Sequence, residues 1–333
     1  MECKLKIIKI AITVAFAILM PLFLLFIYLD RELLQETQPA QFSCLKQDQG
    51  HFIYNTLPPK NIYGVGLTYS KHINETASDF ELAVGPPVFR KSSSSFVKGD
   101  TLVAMPSHSQ LLKSLNELEP GIDIALDNKE IKLLALLDYE AELAFVLLED
   151  VANTDLDNVD FIPQIGFLIA NDISARSLAV MGEGQQNRFD YWGVSKSFLR
   201  FTPVSGPTWV PYTHLPDAIP CVVLKTYVDD NLRQSENTNN LIYTPADMLR
   251  FIHKSYPLTP LSKGDMILTG TPGGVTFNVP RWKARLANLV GLDRFQKLAI
   301  SQRKNSAEKF LNVGSEVRVS AEWLGNVDIT IAK

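Results

Sequence analysis

The chain has 333 residues, 46% of them hydrophobic and 20% charged. That balance excludes a disordered chain, a collagen-like repeat and a small disulfide scaffold. The formal net charge of −4 leaves no basic footprint, so nucleic acid is not an expected partner, and the length allows one or two domains at about 150 residues each.

Residues 10–29 come first: twenty residues, eighteen of them apolar and none charged. At about 1.5 Å per residue such a helix spans ~30 Å, the hydrocarbon thickness of a bilayer. Lys4, Lys6 and Lys9 precede it, and Asp30, Arg31 and Glu32 follow. The positive-inside rule then gives a single-pass membrane anchor, its N-terminus cytoplasmic and the body on the extracytoplasmic side. A cleaved signal peptide is the rival reading, but its apolar core is normally about 7–15 residues long and ends at a small-residue site. No convincing site of that kind follows here. Residues 1–29 are read as a signal-anchor and 30–60 as a mostly polar linker with an irregular end at Pro58-Pro59. Cys44 lies in that linker and Cys221 in the apolar run Cys221-Val222-Val223-Leu224. The two either pair, in an oxidising compartment, or Cys221 is a buried free thiol.

Residues 61–333 read as one domain. Its expected strands are Ile62–Leu67, Val88–Lys91, Leu134–Leu148, Ile165–Ile173, Cys221–Val228, Met266–Thr269, Glu316–Trp323 and Val327–Ile331. Asp229-Asp230-Asn231 reads as a hairpin turn. A short helix is expected over 70–77, and another over 173–181 with Asp172 as its cap. Thr244-Pro245-Ala246-Asp247 is a capping signal that opens a helix to about His253. Residues 279–311, rich in Lys, Arg, Leu and Ala, read as a late helical insertion. The fold class is α+β and β-rich, not an alternating βαβ chain.

The chemistry centres on Asp138-Tyr139-Glu140-Ala141-Glu142-Leu143. Side chains two apart on a strand share a face, so Glu140 and Glu142 point together while Ala141, Leu143 and Phe145 point the other way. Two such acids facing a cavity repel and lose solvation, and a divalent cation with oxygen ligands offsets that. A solvated strand face is the plain alternative. Asp172, at the end of the apolar run Gly166–Asn171, is either a third ligand or a helix cap.

Seven segments in order resemble the fumarylacetoacetate hydrolase family. They are Val65-Gly66-Leu67-Thr68-Tyr69-x-x-His72; Val88-Phe89-Arg90-Lys91; Asp138–Leu143; Ala170-Asn171-Asp172-Ile173-Ser174-Ala175-Arg176; Trp192-x-x-x-Lys196-Ser197-Phe198; Arg233-Gln234-x-x-Asn237-Thr238; and Ile267-Leu268-Thr269-Gly270-Thr271-Pro272-x-Gly274-Val275. The resemblance implies a mixed β-sandwich roll, with Mg²⁺ or Mn²⁺ held by Glu140, Glu142 and Asp172. It also implies a homodimer, and a small 2-oxo or β-diketo acid as substrate. Members cleave C–C bonds of β-diketo acids, decarboxylate, or tautomerise oxo acids, through enol or enolate species able to chelate the metal.

Within that frame Lys196 and Arg176 stand where an oxyanion forms, against the alternatives of a surface lysine and a structural ion pair. Lys91 and Thr271 either contact the substrate carboxylate or hold a strand end and a turn. His72 and Glu75, three apart on the short helix, are the acid–base candidate: Glu75 orients the imidazole and His72 takes a proton from water. Three positions depart from the family. Thr68 stands where Asn is common, Leu199 where Asp is common, and Ala179 where hydrolases carry a glutamine, with Gln185 and Gln186 as substitutes nearby. The expected function is metal-dependent C–C hydrolysis of an acylpyruvate-like acid, with tautomerisation or decarboxylation of a 2-oxo acid behind it. A membrane-tethered binding protein without catalysis is the reading from another class.

Overall fold

The structure, a computed structural model, describes residues 38–54, 58–75, 85–277, 286–304 and 310–333, together with Ala17, Met20 and Pro21. The expected β-rich α+β fold is observed. Nine strands form the larger sheet. Its main path runs Gly50–Ile53, Thr208–Pro211, Ile165–Asn171, Ala141–Leu147, Met266–Leu268, Ile62–Val65, Val88–Lys91; Thr202–Val204 attaches to Ile165–Asn171 and carries Phe96–Lys98 on its other side. The ladder is mixed: Met266–Leu268 runs parallel to Ile62–Val65 and antiparallel to Ala141–Leu147. A five-stranded sheet, in the order Asn231–Asn237, Val223–Val228, Glu316–Ala321, Gly325–Ala332, Thr101–Ala104, packs against it. Leu143, Phe145, Phe167 and Ile169 from the larger sheet share one core with Leu224, Val319 and Val327 from the smaller. This is the two-layer burial that apolar sheet faces demand.

Ala141–Leu147 and Ile165–Asn171 are buried along their whole length. Ala144 and Val146 lie on the opposite face from Leu143 and Phe145, in a second cluster with Leu168, Ala170, Met266, Leu268 and Phe96. By strand parity Glu142 belongs to this second face, and it is 2% exposed. The solvated-face alternative does not apply.

The continuous strand expected over 134–148 is broken. Leu136 has φ +51°, Leu137–Asp138 pairs separately with Ser174–Ala175, and the long strand starts at Ala141. The Asp138 carboxylate explains the break. It accepts the backbone N–H groups of Tyr139, Thr276 and Phe277 at 2.9–3.0 Å, pinning this corner to the loop after Met266–Leu268.

The capping signal at Thr244 holds. Thr244 Oγ1 accepts the Asp247 N–H at 3.2 Å, Asp247 accepts the Thr244 N–H at 3.1 Å, and the helix runs Pro245–Ser255. The Asp229-Asp230 hairpin turn is also present, both residues having positive φ. The linker is more ordered than expected, and of the two cysteine alternatives the paired one is observed. Residues 43–53, read as linker, contain the strand Gly50–Ile53 at the sheet edge and Ser43–Leu45, parallel to Ala218–Pro220. There Cys44 is bonded to Cys221 as a disulfide.

The expected membrane placement is corrected. Among the described residues no helix is long and apolar enough to cross a membrane. A span needs about 20 apolar residues. His108–Leu118, Pro245–Ser255 and Arg294–Lys304 have 11 residues each, and all include polar or charged side chains. The run 10–29 lies outside the described residues apart from Ala17, Met20 and Pro21. Of the late insertion, the helix Arg294–Lys304 is described, and 279–285 and 305–309 lie outside.

Candidate active site

Glu140 precedes strand Ala141–Leu147, Glu142 lies on it, and Asp172 follows its antiparallel neighbour Ile165–Asn171. The Asp172 N–H donates to the Glu140 carbonyl at 2.8 Å, which closes the pair at this end of the ladder. The sheet therefore brings one carboxylate oxygen of each acid within 4.8 Å of the others. All three side chains are buried. Asp172 does not cap a helix: the next helix starts at Arg176 after an Ala175 cap.

Three cations surround the acids. Lys196, at the C-terminal end of the helix Arg188–Ser195, donates from Nζ to Asp172 Oδ2 at 2.6 Å and also pairs with Glu140. Arg176, first residue of the helix Arg176–Met181, joins Asp138 Oδ2 at 2.9 Å to Glu140. Lys91 pairs with Asp172 and donates to the Phe201 carbonyl at 3.1 Å. The surface-lysine and strand-end alternatives for Lys196 and Lys91 do not describe these positions, since both are at most 5% exposed.

The charges act unequally on the acids. Burial opposes ionisation of Glu140, but Arg176 and Lys196 outweigh it and hold the pKa down to about 2. Burial raises Glu142 well above the usual carboxylate range, and Asp172 and Glu140 raise it further. For Lys196, burial favours the neutral amine, but Asp172 and Glu140 outweigh it and raise the pKa. Glu142 also accepts the Gly270 N–H at 2.7 Å. Only glycine fits there: φ is +87°, and a Cβ would lie 2.3 Å from Thr68 Oγ1 and 2.7 Å from the Val65 carbonyl oxygen.

His72 lies on the helix Ser70–Glu75 and is 7% exposed. Burial, then Arg176 and Lys196, lower its pKa to about 4, against an opposing pull from Glu140. The imidazole is therefore neutral near pH 7 and able to accept a proton. The unfolded chain, with His near 6.5, binds more protons than the folded one between pH 6.5 and 4. This part of the stability is full above pH 6.5 and falls as pH drops toward 4, by roughly 3 kcal/mol in all. His72→Gln is expected to flatten that fall, as read from urea midpoints at pH 7 and pH 4. An unchanged slope would remove His72 as its source.

Glu75 is engaged elsewhere than expected: its Oε2 accepts the Gly274 N–H at 2.8 Å and steadies the loop after Met266–Leu268. Thr271 donates to the Ala141 carbonyl at 3.0 Å and accepts from Gln234 Nε2 at 2.8 Å, so its hydroxyl proton is used in holding the turn. Sequence reasoning gave no role to Gln234 or Asp138. Gln234, 1% exposed, also accepts from the Ala141 N–H and from Thr226 Oγ1, tying the smaller sheet to the acid-bearing strand. The signal for Asp138 was an acid two residues before Glu140 in an otherwise apolar stretch.

The donor set suits a hard divalent cation. Three buried carboxylates converge, and their mutual repulsion is what such an ion relieves.

Comparison with known proteins bears on the same residues. The family profile described as "Fumarylacetoacetate (FAA) hydrolase C-terminal" matches residues 61–332. The mitochondrial oxaloacetate tautomerase of Rattus norvegicus is 28% identical over 236 residues, covering 71% of this chain and 63% of the relative. The mitochondrial oxaloacetate decarboxylase of Dictyostelium discoideum is 27% identical over 248 residues, covering 74% and 96%. Neither name supports the expected tethered placement beyond a membrane. Among solved structures, fumarylpyruvate hydrolase from Pseudomonas aeruginosa in complex with Mn²⁺ and pyruvate superposes with a TM-score of 0.54 at 18% identity, covering 90% of this chain and 98% of that one. At that identity the likeness concerns the fold.

Proposed function

The chain belongs to the fumarylacetoacetate hydrolase family, and on that premise we propose that it is a divalent-metal-dependent enzyme that tautomerises or decarboxylates a small 2-oxo acid of the oxaloacetate type. The observation that carries the reading is the buried cluster Glu140, Glu142 and Asp172 with Lys196 and Arg176 beside it.

Glu140, Glu142 and Asp172 would hold the ion. When bound, Mg²⁺ or Mn²⁺ supplies a Lewis acid that favours negative charge on a carbonyl oxygen. Lys196 and Arg176 bring fixed positive charge to the same place in a water-poor site, where it acts more strongly than in bulk water. Lys91 orients Asp172, and Thr271 with Gln234 holds the turn that carries Gly270 to Glu142. His72 holds a neutral imidazole able to take up or return a proton.

Hydrolysis moves to second place for two reasons. Glu75, the expected partner of His72, is bonded to Gly274, and Ala179 offers no amide where hydrolases carry a glutamine. The neutral imidazole of His72 keeps it as a second reading.

One variant separates the two. Water attack on a β-diketo acid needs a base, a contribution of about 10²–10⁴-fold. His72→Ala is therefore expected to lose at least about 100-fold in acylpyruvate hydrolysis, while enol–keto exchange of oxaloacetate, whose protons water can carry, falls by less than about tenfold. Loss of enol absorbance measures both. No turnover of either substrate by the unmodified protein with Mn²⁺, at any pH, would sink the enzyme reading in favour of a binding protein.

A further inference from the structure

The two cations that grip Glu140 begin or follow short helices that also meet at a second place. Arg176 begins the helix Arg176–Met181, and the helix Arg188–Ser195 leads directly into Lys196. At the far end of the first is the Met181 carbonyl, and on the second is Tyr191. Between them lies Glu119, which caps the C-terminus of the helix His108–Leu118. Tyr191 donates its hydroxyl to Glu119 Oε2 at 2.7 Å.

Arg294 completes this junction. It opens the helix Arg294–Lys304, within the late insertion. Its Nη1 donates to Glu119 Oε2 at 2.7 Å and to the Met181 carbonyl at 3.2 Å, and its Nη2 pairs with Glu119 Oε1. The guanidinium fork suits this two-oxygen clasp, and an ammonium would keep the charge while losing the fork. The Arg294 side chain is 14% exposed and that of Glu119 34%, so water reaches the carboxylate more than the guanidinium.

The helix that carries Arg294 is fixed along its length. Leu298 is fully buried, Lys297 pairs with Glu183 at 3.1 Å, and Gln302 bonds the Lys132 carbonyl and the Leu134 N–H at its other end. The junction is also tight. A Cβ on Gly182 would lie 2.5 Å from Tyr191 Cβ, so the two cation-bearing helices touch with no slack where Arg294 clasps them.

We propose that Arg294 is a positioning residue: by holding Glu119, the Met181 carbonyl and, through Glu119, Tyr191, it sets the spacing of the two helices and so the placement of Arg176 and Lys196 around Glu140. This rests on the 2-oxo-acid reading for its consequence in catalysis, but not for the mechanical claim. Glu142 lies on a sheet strand, and Glu140 and Asp172 adjoin strand ends, none of them on these helices, so the ligand set and the cation set are separable.

The test uses full-length wild type, Arg294→Ala, Arg294→Lys and, as a control from the same helix, Arg303→Ala. Amide hydrogen exchange is read by mass spectrometry on peptides covering 176–182, 188–196 and 141–147. Arg294→Ala is expected to speed exchange in the first two peptides at least about tenfold and to leave the third unchanged, with Arg303→Ala like wild type. With oxaloacetate and Mn²⁺, kcat is expected to fall by about 10- to 100-fold, because small misplacements far from the chemistry have effects of that size. KM and the calorimetric Mn²⁺ affinity stay within about threefold on the same argument. Arg294→Lys recovers part of kcat.

Unchanged exchange in Arg294→Ala overturns the proposal, whatever the activity. Faster exchange with unchanged kcat overturns it too, as does a parallel loss of kcat, Mn²⁺ affinity and protection in 141–147, which marks general destabilisation. If wild type turns over no oxo acid, the functional reading fails, and the exchange data alone decide whether Arg294 holds the helices.

Discussion

Glu142→Gln is expected to weaken Mn²⁺ binding by about 100-fold or more and, at the same time, to raise the melting temperature of the metal-free protein. Removing a group that only hydrogen-bonds a metal ligand already lowers affinity by about 10–100-fold, and Glu142 is proposed as a direct ligand. The opposite effect on stability follows from its surroundings. Glu142 is buried beside Asp172 and Glu140, and both factors raise its pKa well above the ordinary value. Near neutral pH the fold bears either a strained carboxylate or the penalty of protonating it, and a neutral amide of the same shape removes that penalty while still accepting the Gly270 N–H. Calorimetry with Mn²⁺ and a thermal melt without metal test the two halves. Equal affinity in wild type and variant would refute the ligand assignment. A lower melting temperature would refute the account of the electrostatics.

Lys196→Met is expected to lower turnover of oxaloacetate by about 10²–10³-fold, the usual loss when a donor aimed at developing negative charge is removed. The same change is expected to destabilise the metal-free protein by up to roughly 3–5 kcal/mol, because it takes from two buried acids the cation they share and leaves each with one cationic partner. Methionine approximates the volume, so the loss reports charge more than packing. Lys196 is the cation shared by Glu140 and Asp172, whereas Lys91 serves Asp172, and Arg176 serves Glu140 and Asp138. Lys196→Met is therefore expected to have a larger effect than Lys91→Met in urea denaturation. A variant with wild-type midpoint and rate would leave Lys196 with no part in either.

Much of this arrangement can be read from short-range pattern. Alternation alone puts Glu140 and Glu142 together, and an acid closing an apolar run singles out Asp172. The Thr244 cap is visible for the same reason: its partners are three residues apart. What pattern does not reveal is long-range closure. The corner at 136–140 bends because Asp138 binds amides 138 and 139 residues away. Glu75 is drawn to Gly274, 199 residues along the chain. Thr271 is engaged by Gln234 from the other sheet. The membrane placement came from an apolar run outside the family match, and none of the described helices has the length to support it.

The sulfur bridge between Cys44 and Cys221, 177 residues apart, makes most of the active site part of a covalent ring. His72, Lys91, Glu140, Glu142, Asp172, Arg176 and Lys196 all lie inside it, whereas Gln234, Gly270, Thr271 and Arg294 lie on the open tail. A ring of this size removes roughly 5 kcal/mol of freedom from the unfolded chain on the chain-entropy view. A single backbone cut within the ring would open it without shedding a fragment, so every acid and every cation of the cluster would remain on one molecule.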